Sequence, residues 1–220
     1  MEPTELNRRA WDEAHRRGTK PLGDKRGLPP QVRRALADLS GKRVLDLQCG
    51  TGESAAALAE LGATVTAVDV SDRVLALARE RWPAVLWIPA DVHELPGELR
   101  RGRFDLVYTG DGVLDRIYDV DAWAHAIASA LRPGGDLLLF DEHPVAKCVD
   151  GLMHWRESYF DERAPVAAGS RFWRLGQILS ALAAAGLVLR TLQEYPQQHG
   201  NRRRQDARLP GTFLLHARRT

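Results

Sequence analysis

Short apolar runs alternate with longer stretches of helical period through the middle of this chain. Runs near 43–47, 64–69, 85–88, 104–109 and 136–141 have the length of strands, and the stretches near 53–61, 72–82 and 121–131 repeat at helical spacing. Such alternation predicts parallel strands joined by right-handed crossover helices, hence an open, doubly wound α/β sheet. Gly62, Gly110 and the pair Gly134-Gly135 punctuate the elements. Residues 4–17 predict an amphipathic helix with Leu6, Ala10, Trp11 and Ala14 on one side. A Gly/Pro-rich stretch, 18–30, separates it from a short helix near 31–39. The carboxyl third is different. Residues 142–170 have no clear period, and a helix follows near 173–185, with Leu175, Ile178, Leu179 and Leu182 inward and Gly186 just past its end. The runs 187–194 and 212–217 predict a closing pair of strands at one sheet edge, making seven strands in all.

The chemistry concentrates in Val44-Leu-Asp-Leu-Gln-Cys-Gly-Thr-Gly-Glu53 and Val65-Thr-Ala-Val-Asp69. A strand ends in Asp46 and runs into a tight glycine loop, an alanine-rich helix follows, and a second strand ends in Asp69. Gly50 and Gly52 lack a Cβ, so the backbone can turn sharply and approach a ligand. Asp69 lies 17 residues beyond Gly52, a spacing suited to accepting hydrogen bonds from ribose hydroxyls. The loop also fits the G-x-G-x-x-A pattern of NAD-binding folds. Asp46 and Glu53 separate the two ligands. A dinucleotide puts a pyrophosphate at the helix N-terminus, where carboxylates oppose it. S-adenosylmethionine carries an ammonium and a sulfonium instead, which carboxylates favour.

Composition adds bounds. With 220 residues, 44% of them hydrophobic and 27% charged, the chain can bury the core of one large domain. A net charge of +2 does not call for a polyanionic partner. Positive charge does gather at 201–220, with six arginines against one aspartate. A solvated loop and tail is the expected reading there, and an anionic-substrate or RNA-binding patch the rival. No apolar run is long enough to span a membrane, the first residues do not read as a signal peptide, and Cys49 and Cys148 are too few for a disulfide framework. A cytoplasmic protein is expected, and 27 arginines against four lysines suggest a G+C-rich bacterial genome. Neither C-x-x-C nor H-x-x-x-H spacing occurs, so no metal is expected.

Five segments in order resemble the class I S-adenosylmethionine-dependent methyltransferases. They are the glycine loop, Ala67-Val-Asp69-Val-Ser71, Ala90-Asp91-Val92-His-Glu-Leu-Pro96, Phe104-Asp105-Leu-Val-Tyr108 and Leu131-Arg-Pro-Gly-Gly135. Gly112-Val-Leu114, Trp123-Ala, Glu142-His-Pro144 and Ser158-Tyr-Phe160 are similar to a bacterial subgroup acting on small molecules. The resemblance implies a Rossmann-like, seven-stranded, mostly parallel sheet in three α/β/α layers. It implies an N-terminal helical lid over 1–41 and an S-adenosylmethionine-binding domain over 42–220, within a single domain overall. One position departs from the family: Gln48 stands where a glycine is usual, and a side chain there is expected to hold φ negative.

Carried onto this chain, the resemblance implies cofactor contacts at Asp46, Gly50, Gly52, Asp69, Val70, Asp91, Val92, Tyr108 and Thr109. Asp46 would support the ammonium through the loop, Asp69 would take the ribose hydroxyls and Val70 would pack on the adenine. Asp91 would accept from the adenine amine, unless it merely caps a helix over 92–99. Tyr108 and Thr109 would lie beside the sulfonium. His143, just past the fifth strand, is the candidate general base, with a structural capping role as its rival. Asp111, Asp115, Glu142, His154 and Tyr159 are candidate substrate contacts, and Trp11 and His15 candidate lid residues. Trp155 reads as a satellite-core residue, and His93 and His125 as surface or packing residues. The implied reaction is methyl transfer to an oxygen or nitrogen of a small molecule. An RNA methyltransferase using 201–208, a cofactor-binding scaffold that does not methylate, and an NAD-binding protein are the rivals. The oligomeric state stays open.

Overall fold

The computed structural model describes residues 3–16, 27–149, 154–160, 165–166, 170–197 and 208–220. Among them, five parallel strands form the body of one sheet: β1 (Arg43–Leu47), β2 (Thr64–Asp69), β3 (Leu86–Pro89), β4 (Phe104–Gly110) and β5 (Leu131–Glu142). Two antiparallel strands, β6 (Leu187–Pro196) and β7 (Pro210–Arg219), close one edge. The order across the sheet is β3-β2-β1-β4-β5-β7-β6. The expected seven-stranded, mostly parallel sheet with a terminal antiparallel pair is therefore what forms.

Strand β1 shows why. Val44 packs into the hydrophobic cluster on one face, while Leu45 and Leu47 pack into the cluster on the other. A strand apolar on both faces is stable only when both are covered. Helices α3 (Glu53–Glu60) and α4 (Asp72–Arg81) cover the first face through Ala55, Leu58, Leu75 and Ala78. Helices α5 (Val120–Ala130) and α7 (Leu175–Ala184) cover the second through Trp123, Ile127, Ile178 and Leu182. Three layers result. Because β1 neighbours β2 on one side and β4 on the other, the chain reverses its winding there, and the carboxyl ends of β1 and β4 open a crevice.

Local chemistry sets the boundaries. Ser71 caps α4 by accepting from the Val74 N–H at 3.2 Å, and Asp119 caps α5 by accepting from the Ala122 N–H at 2.9 Å. The short second helix, α2 (Pro30–Ala35), stops earlier than its apolar pattern suggested. Leu36 turns extended, and Asp38 then accepts from the Ser40 N–H and hydroxyl, which favours a turn. Residues 92–99 form turns and no helix. Strand β5 starts at Leu131 rather than 136, with Gly134 at φ 72° and a shift in pairing register between Phe104 and Leu106. The stretch read as irregular contains a short helix, α6 (Pro144–Lys147).

Helix α1 (Pro3–Arg16) lies across the crevice. The Thr4 hydroxyl donates to Asp91 Oδ2, Asn7 Nδ2 donates to the Arg116 carbonyl at 2.8 Å, and the Ser71 hydroxyl donates to Asp12. One face of α1 thus holds the loop after β3, the turn after β4 and the start of α4.

Candidate active site

The turn leaving β1 is built from left-handed backbone. Gln48, Gly50 and Gly52 have φ of 57°, 54° and 88°. The expectation of negative φ at Gln48 is overturned. A non-glycine residue there costs roughly 1–2 kcal/mol, and the side chain supplies a compensating contact. Its Nε2 donates to the Val113 carbonyl at 3.2 Å, tying the loop to the segment after β4. The Gly52 N–H closes the turn onto the Cys49 carbonyl at 3.0 Å.

Two acids brace this loop from the strand ends. Asp69 Oδ2 accepts the Gly50 N–H and Oδ1 accepts the Ser71 N–H, each at 3.0 Å. Asp46, only 1% exposed, accepts from the Ser54 hydroxyl at 2.6 Å and has no cationic partner among the described residues. Burial pushes the Asp46 carboxyl up to about 7. The Ser54 hydrogen bond opposes the shift, and Asp111 and Asp69 add to it. Glu53, in the first turn of α3, pairs with Arg81 at 3.0 Å.

The folded protein holds the Asp46 proton more tightly than the unfolded chain does. The carboxyl therefore contributes stability that is full below its ordinary value of 3.8 and is lost as pH rises toward 7. In Asp46→Asn that loss disappears, a difference on the order of 4 kcal/mol across the window. Urea melts at pH 4.5 and 7.5 check it. Asp141 is pushed up to about 6 by burial and leaves a smaller slope of the same sign in both proteins.

A cavity of about 440 Å³ opens above these groups. Of the residues the sequence singled out, Asp46, Gly50, Asp69, Val70, Asp91, Val92, Tyr108, Asp111 and Trp11 line it. The Trp11 ring edge lies 3.8 Å from where a Gly50 Cβ would stand. The Tyr108 hydroxyl is buried without a hydrogen-bond partner. Burial raises its pKa well above the ordinary value, and the charges of Asp111, Asp46 and Asp141 add to that. Asp111 holds φ at 69°, in the sparsely populated region where strain gathers at functional sites.

Asp91 is occupied differently from expectation. It caps no helix. Its carboxylate takes the Thr4 and Tyr118 hydroxyls on one oxygen and the His93 N–H and Nδ1 on the other, at 2.8 and 2.6 Å for the last two. Burial raises the Asp91 carboxyl, but the His93 ring, the Thr4 hydroxyl and the His93 N–H outweigh it and bring it down to about 2. His93 itself lines the cavity, stacked on Tyr118 with ring centroids 3.7 Å apart.

Other singled-out residues stand away from the cavity. Gly52 lies behind the loop, against Trp87, and Thr109 is buried beside Gln48. His143 Nδ1 accepts the Val145 N–H at 3.2 Å and so caps α6, while Nε2 lies 3.0 Å from Glu194 of β6. Burial lowers its pKa, with Glu194 opposing. This is the capping role, and the cavity wall does not include it. Asp115 pairs with Lys147, Glu142 is exposed at the end of β5, and the Tyr159 hydroxyl accepts the Leu175 N–H at 3.2 Å at the start of α7. His154 is exposed, and so is Trp155, which is therefore no satellite core. The side chain of His15 and residues 201–207 of the arginine-rich segment lie outside the described residues.

Sequence reasoning gave no site role to the cavity residues Asn7 and Arg116, read His93 as a surface or packing residue, and passed over the acid that shapes the turn after β4. Asp141 is 1% exposed and accepts the N–H groups of Gly112, Leu114 and Glu142 at 2.8, 3.0 and 2.6 Å. Its signal was an acid directly after the buried apolar run Leu137–Phe140, where burial demands partners. Among the described residues no metal-binding cluster forms, and no helix is long and apolar enough to cross a membrane.

The family model described as a methyltransferase domain matches residues 44–135. An uncharacterized methyltransferase of Synechocystis is 34% identical over 49% of this chain and 50% of its own length. A ubiquinone biosynthesis O-methyltransferase of Aromatoleum aromaticum is 34% identical over 61% of this chain and 57% of its own. The chain thus spans about half the length of these curated relatives. Among solved structures, an S-adenosylmethionine dependent methyltransferase from Mesorhizobium loti has a TM-score of 0.70 at 25% identity, covering 86% of this chain and 96% of that one. Residues 44–135 belong to the methyltransferase-domain family, carried here on the class I S-adenosylmethionine-dependent methyltransferase fold.

Proposed function

We propose that the protein transfers a methyl group from S-adenosylmethionine to an oxygen or nitrogen of a small-molecule acceptor, leaving S-adenosylhomocysteine. The observation that carries this reading is Asp46, a buried carboxyl on the cavity wall with no cation beside it. An uncompensated acid beside a glycine loop favours a ligand bearing an ammonium and penalises one bearing a pyrophosphate. The orphaned Tyr108 hydroxyl on the same wall is a second polar group suited to a ligand partner.

In this reading Asp46 and the Gly50 backbone hold the methionine end, Asp69 takes the ribose hydroxyls, and Val70 and Val92 enclose the adenine. Because Asp91 already holds Thr4, Tyr118 and His93, its part is to fix the adenine wall and latch α1 over it. Residues 1–41 then include a lid, with Trp11 above the glycine loop. The sulfonium makes the methyl carbon electrophilic: its bond to sulfur breaks with the electron pair left on sulfur, as an acceptor lone pair forms the new bond. The chain's own work is to align the acceptor and exclude water. Where the acceptor carries a proton, Asp111 is the group we propose receives it, in place of His143.

Calorimetric titration with S-adenosylmethionine, S-adenosylhomocysteine and NAD tests the cofactor. Micromolar binding of both sulfur ligands is expected, with release of about half a proton per site near pH 7 as Asp46 ionises beside the ligand. Asp46→Asn binds without that release. Tight NAD binding with no response to the sulfur ligands would overturn the reading. Turnover to S-adenosylhomocysteine over a panel of hydroxylated and amine acceptors distinguishes an enzyme from a binding scaffold, and salt-sensitive binding of RNA would favour the nucleic-acid rival.

A further inference from the structure

The charged side chains lining the cavity are lopsided. Among the described residues Asp46, Glu53, Asp69, Asp91 and Asp111 face a single permanently charged cation, Arg116. Asp69 and Asp91 are engaged by protein donors, Glu53 has Arg81, and Asp46 suits the cofactor's ammonium. Arg116 has no such account. It is partly buried, and its guanidinium makes no hydrogen bond or ion pair with any described residue. Burial lowers its pKa, and no neighbouring charge offsets that shift. Its stem is partly covered while the guanidinium keeps its donors free of any described protein acceptor and available to a ligand.

The backbone carrying Arg116 is pinned from two sides. Beneath it, Asp141 anchors the turn by accepting the Gly112 and Leu114 N–H groups, and the Arg116 N–H closes onto the Val113 carbonyl at 2.9 Å. Above it, Asn7 of α1 donates to the Arg116 carbonyl at 2.8 Å. A rigid mount under an unpaired guanidinium, on the wall that follows β4, matches what an anion-recognition site requires.

We propose that Arg116 binds a carboxylate carried by the methyl acceptor, so that the acceptors of this protein are small carboxylic acids whose charged group is held apart from the atom that is methylated. The planar fork of the guanidinium suits two parallel hydrogen bonds to such a group. Asn7 holds the backbone of the same residue, so α1 and the proposed carboxylate site meet at Arg116. The proposal rests on the methyl-transfer reading above, and it could fail while that reading stands. Cofactor and acceptor both offer a carboxylate, so the test has an arm for each.

The protein saturated with S-adenosylhomocysteine is titrated with benzoate, phenylacetate and hexanoate, and with their primary amides. Wild type is expected to bind at least one carboxylate tenfold or more tightly than its amide. Arg116→Gln is expected to lose that preference while keeping S-adenosylhomocysteine affinity within about threefold. Arg116→Lys, which keeps the charge but not the fork, retains a reduced preference. Equal binding of acids and amides by wild type, binding of none of the three acids, or a preference that survives in Arg116→Gln would each overturn the proposal. In the second arm, S-adenosylhomocysteine and 5′-methylthioadenosine are compared. A tenfold loss confined to S-adenosylhomocysteine in Arg116→Gln would assign the residue to the cofactor's own carboxylate and also overturn the proposal. Failure of wild type to bind S-adenosylhomocysteine at all is the separate signature of an error in the methyl-transfer reading.

Discussion

Asp69→Asn is expected to weaken S-adenosylhomocysteine binding about a hundredfold, since a hydrogen bond to a charged acceptor contributes roughly 1.5–3 kcal/mol. Two roles meet in this side chain. Its oxygens accept the N–H groups of Gly50 and Ser71, joining the glycine loop to the start of α4. A carboxylate has about four acceptor positions, so the same group can brace the backbone and, in our reading, take ribose hydroxyls. Asparagine has one oxygen and turns an NH₂ group toward one of those N–H donors. A buried donor left unsatisfied costs about 1–3 kcal/mol, so melting should register a stability loss alongside the loss of affinity. Calorimetry on the wild type and the variant separates the two. Affinity within threefold of wild type would mean that Asp69 only braces the loop, and the ribose assignment would fall.

Gly52→Ala should destabilise the protein by about 3 kcal/mol, combining a left-handed non-glycine residue with overpacking. The backbone at Gly52 has φ 88°, and a Cβ there would stand 2.3 Å from the Trp87 ring. That ring has little room to retreat. It is 6% exposed, and its Nε1 donates to the Trp82 carbonyl at 3.1 Å. At this chain length the loss corresponds to a melting temperature lower by about 10 °C. Gly50→Ala is the control. Its Cβ would meet only Trp11, at 3.8 Å, so it carries backbone strain without the overlap. Equal melting of the two variants would show that the Trp87 contact does not govern this turn.

The strands and the glycine loop were legible for a shared reason. Parallel strands buried on both faces must be nearly continuous apolar runs, and a turn at positive φ favours glycine, so both leave local marks. The limits of β1 and β2 came out as read, 43–47 and 64–69. The rival reading of Asp91 as the cap of a helix over 92–99 fails because its partners are distant: Asp91 takes Thr4 of α1 and Tyr118 beyond β4 in place of a helical turn. Gln48 adopts a glycine's conformation because its side chain finds the Val113 carbonyl, a contact no local pattern announces.

His143 and Arg116 mark the division. From sequence, a histidine past the fifth strand is a plausible base, and one arginine among 27 is unremarkable. The fold turns the first into a cap beside Glu194, a residue of β6, and leaves the second without a partner on the cavity wall. Sequence by itself determined the layers, the sheet and the glycine loop after β1. Backbone sterics and apolar burial act between near neighbours and repeat at fixed periods. Tertiary structure alone decided which charges are paired and which face the cavity. Electrostatic pairing acts through space, between residues that only folding brings together.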